Sequence, residues 1–111
     1  MKLRQIKLDS GAEIVLGKDE ESNDELMRKF KGKDNIILHT AAPGSPFCVI
    51  KDKVSEEDIY ASAVFCARYS QDWRDNKKDV AVNVFTPVLV VKFLQSLRRM
   101  RVQPNLKNQA V

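Results

Sequence analysis

The single histidine is the side chain of this sequence best suited to chemistry near neutral pH. His39 ends an apolar run and precedes the turn sequence Pro43-Gly44-Ser45. The imidazole, the Ser45 hydroxyl and the free amides of such a turn can together bind a phosphate group. The alternative is a structural histidine whose imidazole holds the turn through a backbone carbonyl. The residue types alone favour this alternative.

Catalysis by His39 would need an acid or a nucleophile close to the imidazole. Asp24 or Glu25 would supply the acid in a small hydrolase or nuclease, but the sequence lacks both a Ser-His-Asp spacing and a glycine-rich nucleophile elbow. Cys66 activated by His39 is a further alternative. Because Cys48 and Cys66 both lie in apolar runs, we expect two small buried side chains and no metal site.

The net charge of +4 on 111 residues is unevenly distributed. Residues 28–33 hold four bases and no acid, and residues 80–111 hold five bases and no acid. If the chain ends are neighbours, eight bases share one surface that attracts phosphate backbones. These bases are Lys2, Arg4, Lys7, Lys92, Arg98, Arg99, Arg101 and Lys107. The alternative is a solvated basic face without a ligand.

The length and the apolar runs limit the kind of protein. A chain of 111 residues allows one domain. Its longest uncharged apolar run, residues 87–91, is too short to cross a bilayer. The sequence opens without a charged segment followed by an apolar stretch, so we expect a cytoplasmic protein with no membrane partner.

Turn and capping residues predict the first half of the secondary structure. Residues 2–8 and 12–16 form a hairpin around the turn Asp9-Ser10-Gly11. A capping box of Ser22 and Glu25 begins a short helix that stops at Gly32. Residues 35–39 and 47–51 are predicted strands joined by the turn at Gly44, which favours a positive φ.

The second half begins with the clearest helix. Ser55 caps it, Val54 and Ile59 form a hydrophobic staple, and the helix is predicted to stop between residues 73 and 76. Tyr69 and Trp73 are either an exposed aromatic pair or packed under the next loop. Residues 80–84 and 88–93 are predicted strands, and residues 95–100 are a helical turn or a bent continuation of the sheet.

This order, ββαββαββ, predicts an α+β fold in which two helices pack on a mostly antiparallel sheet.

Six short motifs in one order resemble the NFACT-R domain, the RNA-binding module of the NFACT proteins of ribosome-associated quality control. The motifs are Gly17-Lys18-Asp19, Asn23-Asp24-Glu25-Leu26, Leu38-His39-Thr40-Ala41, Pro43-Gly44-Ser45, Val49-Ile50-Lys51 and Ala67-Arg68-Tyr69-Ser70. The resemblance covers about residues 1–93, with residues 94–111 as a divergent basic C-terminal segment. Residues 1–111 are thus expected to form a single NFACT-R-like domain.

The resemblance implies a non-enzymatic RNA-binding module without a cofactor. Its expected partners are tRNA, rRNA or a ribosomal complex, while DNA binding and a protein-interaction adaptor remain alternatives. The oligomeric state stays open. The resemblance also favours a polar site for an RNA phosphate or base, completed by separate phosphate contacts. The site residues are Lys18, Asn23, His39 and Ser45, and the phosphate contacts are Lys51, Arg98, Arg99 and Arg101.

Overall fold

A computed structural model describes residues 3–31, 33–52, 55–87 and 95–104 of the chain. These residues form six strands and three helices in the order ββαββααββ. The strands are β1 (Leu3–Lys7), β2 (Glu13–Gly17), β3 (Ile37–Thr40), β4 (Cys48–Ile50), β5 (Val80–Pro87) and β6 (Gln95–Val102). The helices are α1 (Glu20–Phe30), α2 (Glu56–Arg68) and α3 (Gln71–Asn76). The predicted strand at residues 88–93 lies outside the described residues.

The strands form one antiparallel sheet in the order β1-β2-β4-β3-β5-β6. The predicted α+β class and antiparallel sheet are therefore confirmed, and residues 95–102 continue the sheet. The condition for one shared basic surface, that the terminal strands are neighbours, is not met, because β1 and β6 form opposite edges of this sheet. Four strands thus lie between Arg4 and Lys7 of β1 and the bases of β6. Lys2, Lys92 and Lys107 lie outside the described residues.

The prediction of two helices is wrong because Ser70 ends one helix and begins another. Its hydroxyl donates to the Ala67 carbonyl at 2.6 Å and accepts a hydrogen bond from the Trp73 amide at 3.2 Å. The first bond belongs to the end of α2, and the second caps α3. A polar hydroxyl that competes for local backbone groups in this way favours a helix boundary over a continuous helix.

The first helix begins earlier than the predicted Ser22 cap. Asp19 is the N-cap, and its carboxylate accepts a hydrogen bond from the Ser22 amide at 2.8 Å. The Ser22 hydroxyl accepts from the Asp19 amide at 3.0 Å, which completes a capping box one turn before the predicted one. The cap of α2 at Ser55 is confirmed. Gly32 and Val54 lie outside the described residues.

The two sides of the sheet carry different helices. On the α2 side, the buried residues of α2 pack with Leu16, Leu38 and Val82 in the larger core. On the α1 side, Leu26 and Phe30 of α1 pack with buried residues of β2 and β4 in a smaller core. α1 covers β2 and β4 on its side of the sheet. The described residues therefore place no helix over the same side of β5 and β6.

Candidate functional site

The part of the sheet over which the described residues place no helix includes three cross-strand rows on the α1 side whose side chains are described. Directly opposed residues of antiparallel strands share a face. His39 lies opposite Asn83, which lies opposite Arg99. Phe85 lies opposite Leu97 in the row on one side, and Ala81 lies opposite Arg101 in the row on the other side. We call these seven residues the open face: His39, Ala81, Asn83, Phe85, Leu97, Arg99 and Arg101.

Two arginines give the open face its positive charge. The Nε of Arg99 donates to the Asn83 Oδ1 at 3.0 Å, and this bond orients the guanidinium on the sheet. Both Arg99 and Arg101 are exposed. Among the described residues, no carboxylate lies within ion-pairing distance of either side chain. Their remaining guanidinium N–H groups can therefore donate to phosphate oxygens.

Arg98, the neighbour of Arg99 in the sequence, lies on the other side of the sheet. It is opposite the buried Val84, and its guanidinium forms an ion pair with Glu56 of α2 at 2.9 Å. The hydrogen bond from Arg98 lowers the pKa of the Glu56 carboxyl from its usual value. The predicted cluster of three arginines is therefore divided, with one on the α2 side and two on the open face.

His39 is held by its own strand. The Nδ1 atom lies 2.8 Å from the Thr40 carbonyl oxygen, so a proton on Nδ1 satisfies this contact and leaves Nε2 as the acceptor. The imidazole also packs against the Phe47 ring at 4.5 Å between centroids. No carboxylate of the described residues lies within 4.0 Å of His39, so the acid partner that a hydrolase requires is not formed with Asp24 or Glu25.

Three of the four predicted polar site residues line a separate cleft of about 550 Å³. Lys18, Asn23 and Ser45 are in its wall, whereas His39 reaches it only through its contact with Phe47, which also lines the cleft. The charges of the lining residues balance. The bases are Arg4, Lys18 and Arg74, and the acids are Asp19, Glu20 and Asp24. A cleft with this balance has less attraction for phosphate than the open face.

Asn23 and Ser45 build the cleft through hydrogen bonds to the backbone. The Asn23 Oδ1 accepts from the Phe47 amide at 3.0 Å, which ties α1 to the start of β4. The buried Ser45 hydroxyl accepts from the Thr40 amide at 3.1 Å and donates to the Pro46 carbonyl at 3.2 Å. The Ser45 hydroxyl therefore stabilises its own turn, where Gly44 has a φ of 91°.

Lys51 lies away from the cleft. Phe47 precedes β4, whereas Lys51 follows the other end of that strand. The Lys51 ammonium group is 3.5 Å from the Glu13 carboxylate. Tyr69 and Trp73 are partly buried against the larger core rather than exposed as a pair. Arg4 lies over the Tyr69 ring at 4.1 Å, and Lys77 lies over the Trp73 ring at 4.8 Å.

Sequence reasoning did not identify Asn83, Phe85 and Leu97 as members of the site. The signal was present in the alternation of residues 80–85, where three valines point to the larger core and the intervening residues point away. Which side of the sheet stays uncovered depends on where α1 packs, and a strand pattern does not contain that information.

Both cysteines are expected to be inert in the folded protein. Cys48 and Cys66 are fully buried, and the Cys66 Sγ lies 3.5 Å from the Pro46 carbonyl oxygen. Burial raises the pKa of Cys66 to about 12 and raises that of Cys48 well above its usual value. Because the thiolate is the nucleophile, the alternative of a Cys66 nucleophile is wrong.

We expect neither thiol of the folded protein to react with an aromatic disulfide reagent at about pH 8 during the time in which both thiols of the unfolded protein react completely. The measurement is the absorbance of the released thiolate, with protein unfolded in guanidinium as the control. Rapid labelling of the folded protein would contradict the burial of both side chains.

Comparison with known proteins identifies the family of this fold. A family model described as the NFACT protein RNA binding domain matches residues 4–107. The chain belongs to the NFACT RNA-binding domain family. The archaeal Rqc2 homolog aRqcH of Methanocaldococcus jannaschii is 34% identical over 68 residues, which are 59% of this chain and 10% of that protein. The chain therefore spans about a tenth of the length of that curated relative.

A solved structure gives the same fold for this NFACT RNA-binding domain. The C-terminal part of the fibronectin/fibrinogen-binding protein of Streptococcus suis superposes with a TM-score of 0.76 at 22% identity. The match covers 97% of this chain and 47% of that one. Within the described residues, none of the helices is long and apolar enough to cross a membrane.

Proposed function

We propose that this NFACT RNA-binding domain is a non-enzymatic, cytoplasmic module that binds tRNA or rRNA, alone or in a ribosomal complex. The open face supports this proposal most directly, because its two arginines have no carboxylate partner among the described residues and share with His39 a part of the sheet over which those residues place no helix. The match to a family named for RNA binding supports the kind of ligand. The name of the archaeal relative, an Rqc2 homolog, supports a role in ribosome quality control.

The two arginines of the open face, which have no carboxylate partner among the described residues, favour the α1 side as the RNA-binding side. α1 packs on that side with Arg28 and Lys29 in its last turn, and its four acids lie in the preceding turns: Glu20, Glu21, Asp24 and Glu25. On the α2 side, the first turn of α2 holds three acids, and one of them neutralises Arg98. Phosphate backbones are attracted to the side where bases are left unpaired.

The proposed phosphate contacts follow from this geometry. Arg99 and Arg101 bind phosphate oxygens through their free N–H groups, and His39 accepts a hydrogen bond from the RNA through Nε2. Lys18 contributes at the rim of the cleft. Arg98 and Lys51 already have carboxylate partners in Glu56 and Glu13, so they contribute less.

The proposal predicts RNA binding that weakens steeply with salt. We expect affinity for tRNA or for an rRNA fragment to fall as salt rises from about 50 to 200 mM, with a log–log slope of roughly −2 to −4 if a few phosphates are contacted. Fluorescence anisotropy with labelled RNA measures the slope. A labelled DNA duplex of equal length is the control for nucleic-acid class.

A flat salt dependence, or no measurable binding of tRNA and rRNA at about 50 mM salt, would contradict RNA binding through phosphate contacts. Equal affinity for the DNA duplex would favour the DNA alternative. Recovery of a defined protein complex after nuclease treatment, together with no RNA binding, would favour a protein-interaction adaptor.

A further inference from the structure

The open face ends in an apolar row that phosphate binding does not use. Ile37 lies opposite Phe85, and Phe85 lies opposite Leu97 at the edge strand β6. Leu97 is 58% exposed and is the large hydrophobic residue that the described part of the chain leaves on the surface. Phe85 is partly exposed beside it. An aromatic ring and an exposed leucine thus lie next to the row that contains Arg99.

We propose that the open face binds unpaired RNA nucleotides, with a base stacked on Phe85 and Leu97 and the adjoining phosphates held by Arg99 and Arg101. This inference rests on the proposed RNA binding and specifies which form of RNA is bound. Unpaired bases expose an apolar π-face that stacks on aromatic side chains. The bases of a duplex are stacked within the helix, so a duplex offers phosphates and sugars but no base for the apolar row.

The spacing of the rows suits an extended strand. Consecutive rows on one face of a sheet are two residues apart, which is about 6.7 Å along the strand. The apolar row of Phe85 and Leu97, the polar row of Asn83 and Arg99, and the row of Arg101 therefore follow one another at regular steps. When one base stacks on the row of Phe85 and Leu97, the adjoining phosphates can reach Arg99 in the second row and Arg101 in the third. The hydrogen bond from Arg99 to Asn83 holds the first of these guanidinium groups in position.

The experiment compares a labelled U12 oligonucleotide with a labelled 12-base-pair RNA duplex by fluorescence anisotropy at one salt concentration. We expect Phe85→Ala to weaken U12 binding by roughly tenfold, because loss of one stacked base costs between about five- and a hundredfold. Its effect on the duplex is expected to stay below about twofold. The matched control is Tyr60→Leu, which removes an aromatic ring from the α2 side.

A second variant tests the same surface without disturbing the core. Leu97 is exposed, so Leu97→Tyr leaves packing intact and adds a ring on which a base can stack. We expect it to strengthen U12 binding by several-fold.

Three outcomes would contradict the proposal in different ways. If U12 and the duplex bind the wild type equally and neither variant changes U12 binding, base stacking on the open face is wrong while RNA binding stands. If neither RNA binds the wild type, the proposed function itself fails. A protein ligand for this face would give the same absence of RNA binding together with a captured complex that Leu97→Tyr disrupts.

Discussion

Replacing Arg99 and Arg101 together by alanine is expected to weaken tRNA binding by about tenfold or more at roughly 0.1 M salt. The same variant should make the log–log salt slope less negative by about 2, because each lost phosphate contact removes about one unit of slope. Both side chains are exposed and lie on the open face, and the described residues offer them no carboxylate. Fluorescence anisotropy across a salt series measures both quantities.

A control variant that loses the same number of positive charges distinguishes the effect of the open face on binding from the effect of net charge. Arg98→Ala combined with Lys77→Asn also removes two positive charges, but Arg98 is paired with Glu56 and Lys77 lies over Trp73 on the α2 side. Asparagine suits position 77 because Lys77 has a φ of 53°. We expect this control to bind tRNA within about twofold to threefold of the wild type. Equal losses in the two double variants would mean that total charge, rather than the open face, governs binding.

The largest effect on stability is expected from Gly17→Ala. A Cβ at this position would overlap the Asn23 Oδ1 and lie 2.8 Å from its Cγ. The asparagine must then move, which breaks its 3.0 Å hydrogen bond with the Phe47 amide. Overpacking and the loss of a partly buried hydrogen bond together should lower the free energy of unfolding by about 2–3 kcal/mol. Urea denaturation followed by circular dichroism measures the change.

A double-mutant cycle tests the cause of this loss. Asn23→Ala alone should cost about 1–2 kcal/mol, because the Phe47 amide loses its acceptor. With the asparagine side chain removed, Gly17→Ala should cost about 1–2 kcal/mol less than it does in the wild type. Additive losses would show that the contact between Gly17 and Asn23 is not responsible.

Local signals in the sequence predict several parts of the fold because their chemistry is complete within a few residues. The Asp9-Ser10-Gly11 turn, the Ser55 cap and the positive φ of Gly44 are examples, and all three are found in the structure. The cap of α1 was misplaced because Asp19 and Ser22 are both good N-cap residues, and only their mutual hydrogen bonds decide between them.

The site was less predictable because it depends on the order of the strands and on which side each helix covers. The motifs that predicted a polar pocket do place Lys18, Asn23 and Ser45 around one cleft. Alternation along β6 predicts that Arg98 and Arg99 point to opposite sides. That Arg99 and His39 lie in one cross-strand row, on either side of Asn83, follows from the order β3-β5-β6 in the sheet, although His39 and Asn83 are 44 positions apart along the chain. Such pairing leaves no local pattern in the sequence.

The central claim, that the α1 side of β3, β5 and β6 contacts RNA, is tested most directly by nuclear magnetic resonance of the isotopically labelled protein titrated with a short RNA stem-loop. We predict that the amide signals of Asn83, Phe85, Arg99 and Arg101 and the ring signals of His39 shift as RNA is added. Signals of α2, such as those of Glu56 and Tyr60, should stay in place. Shifts confined to α2 and α3, with the open face unchanged, would contradict the account.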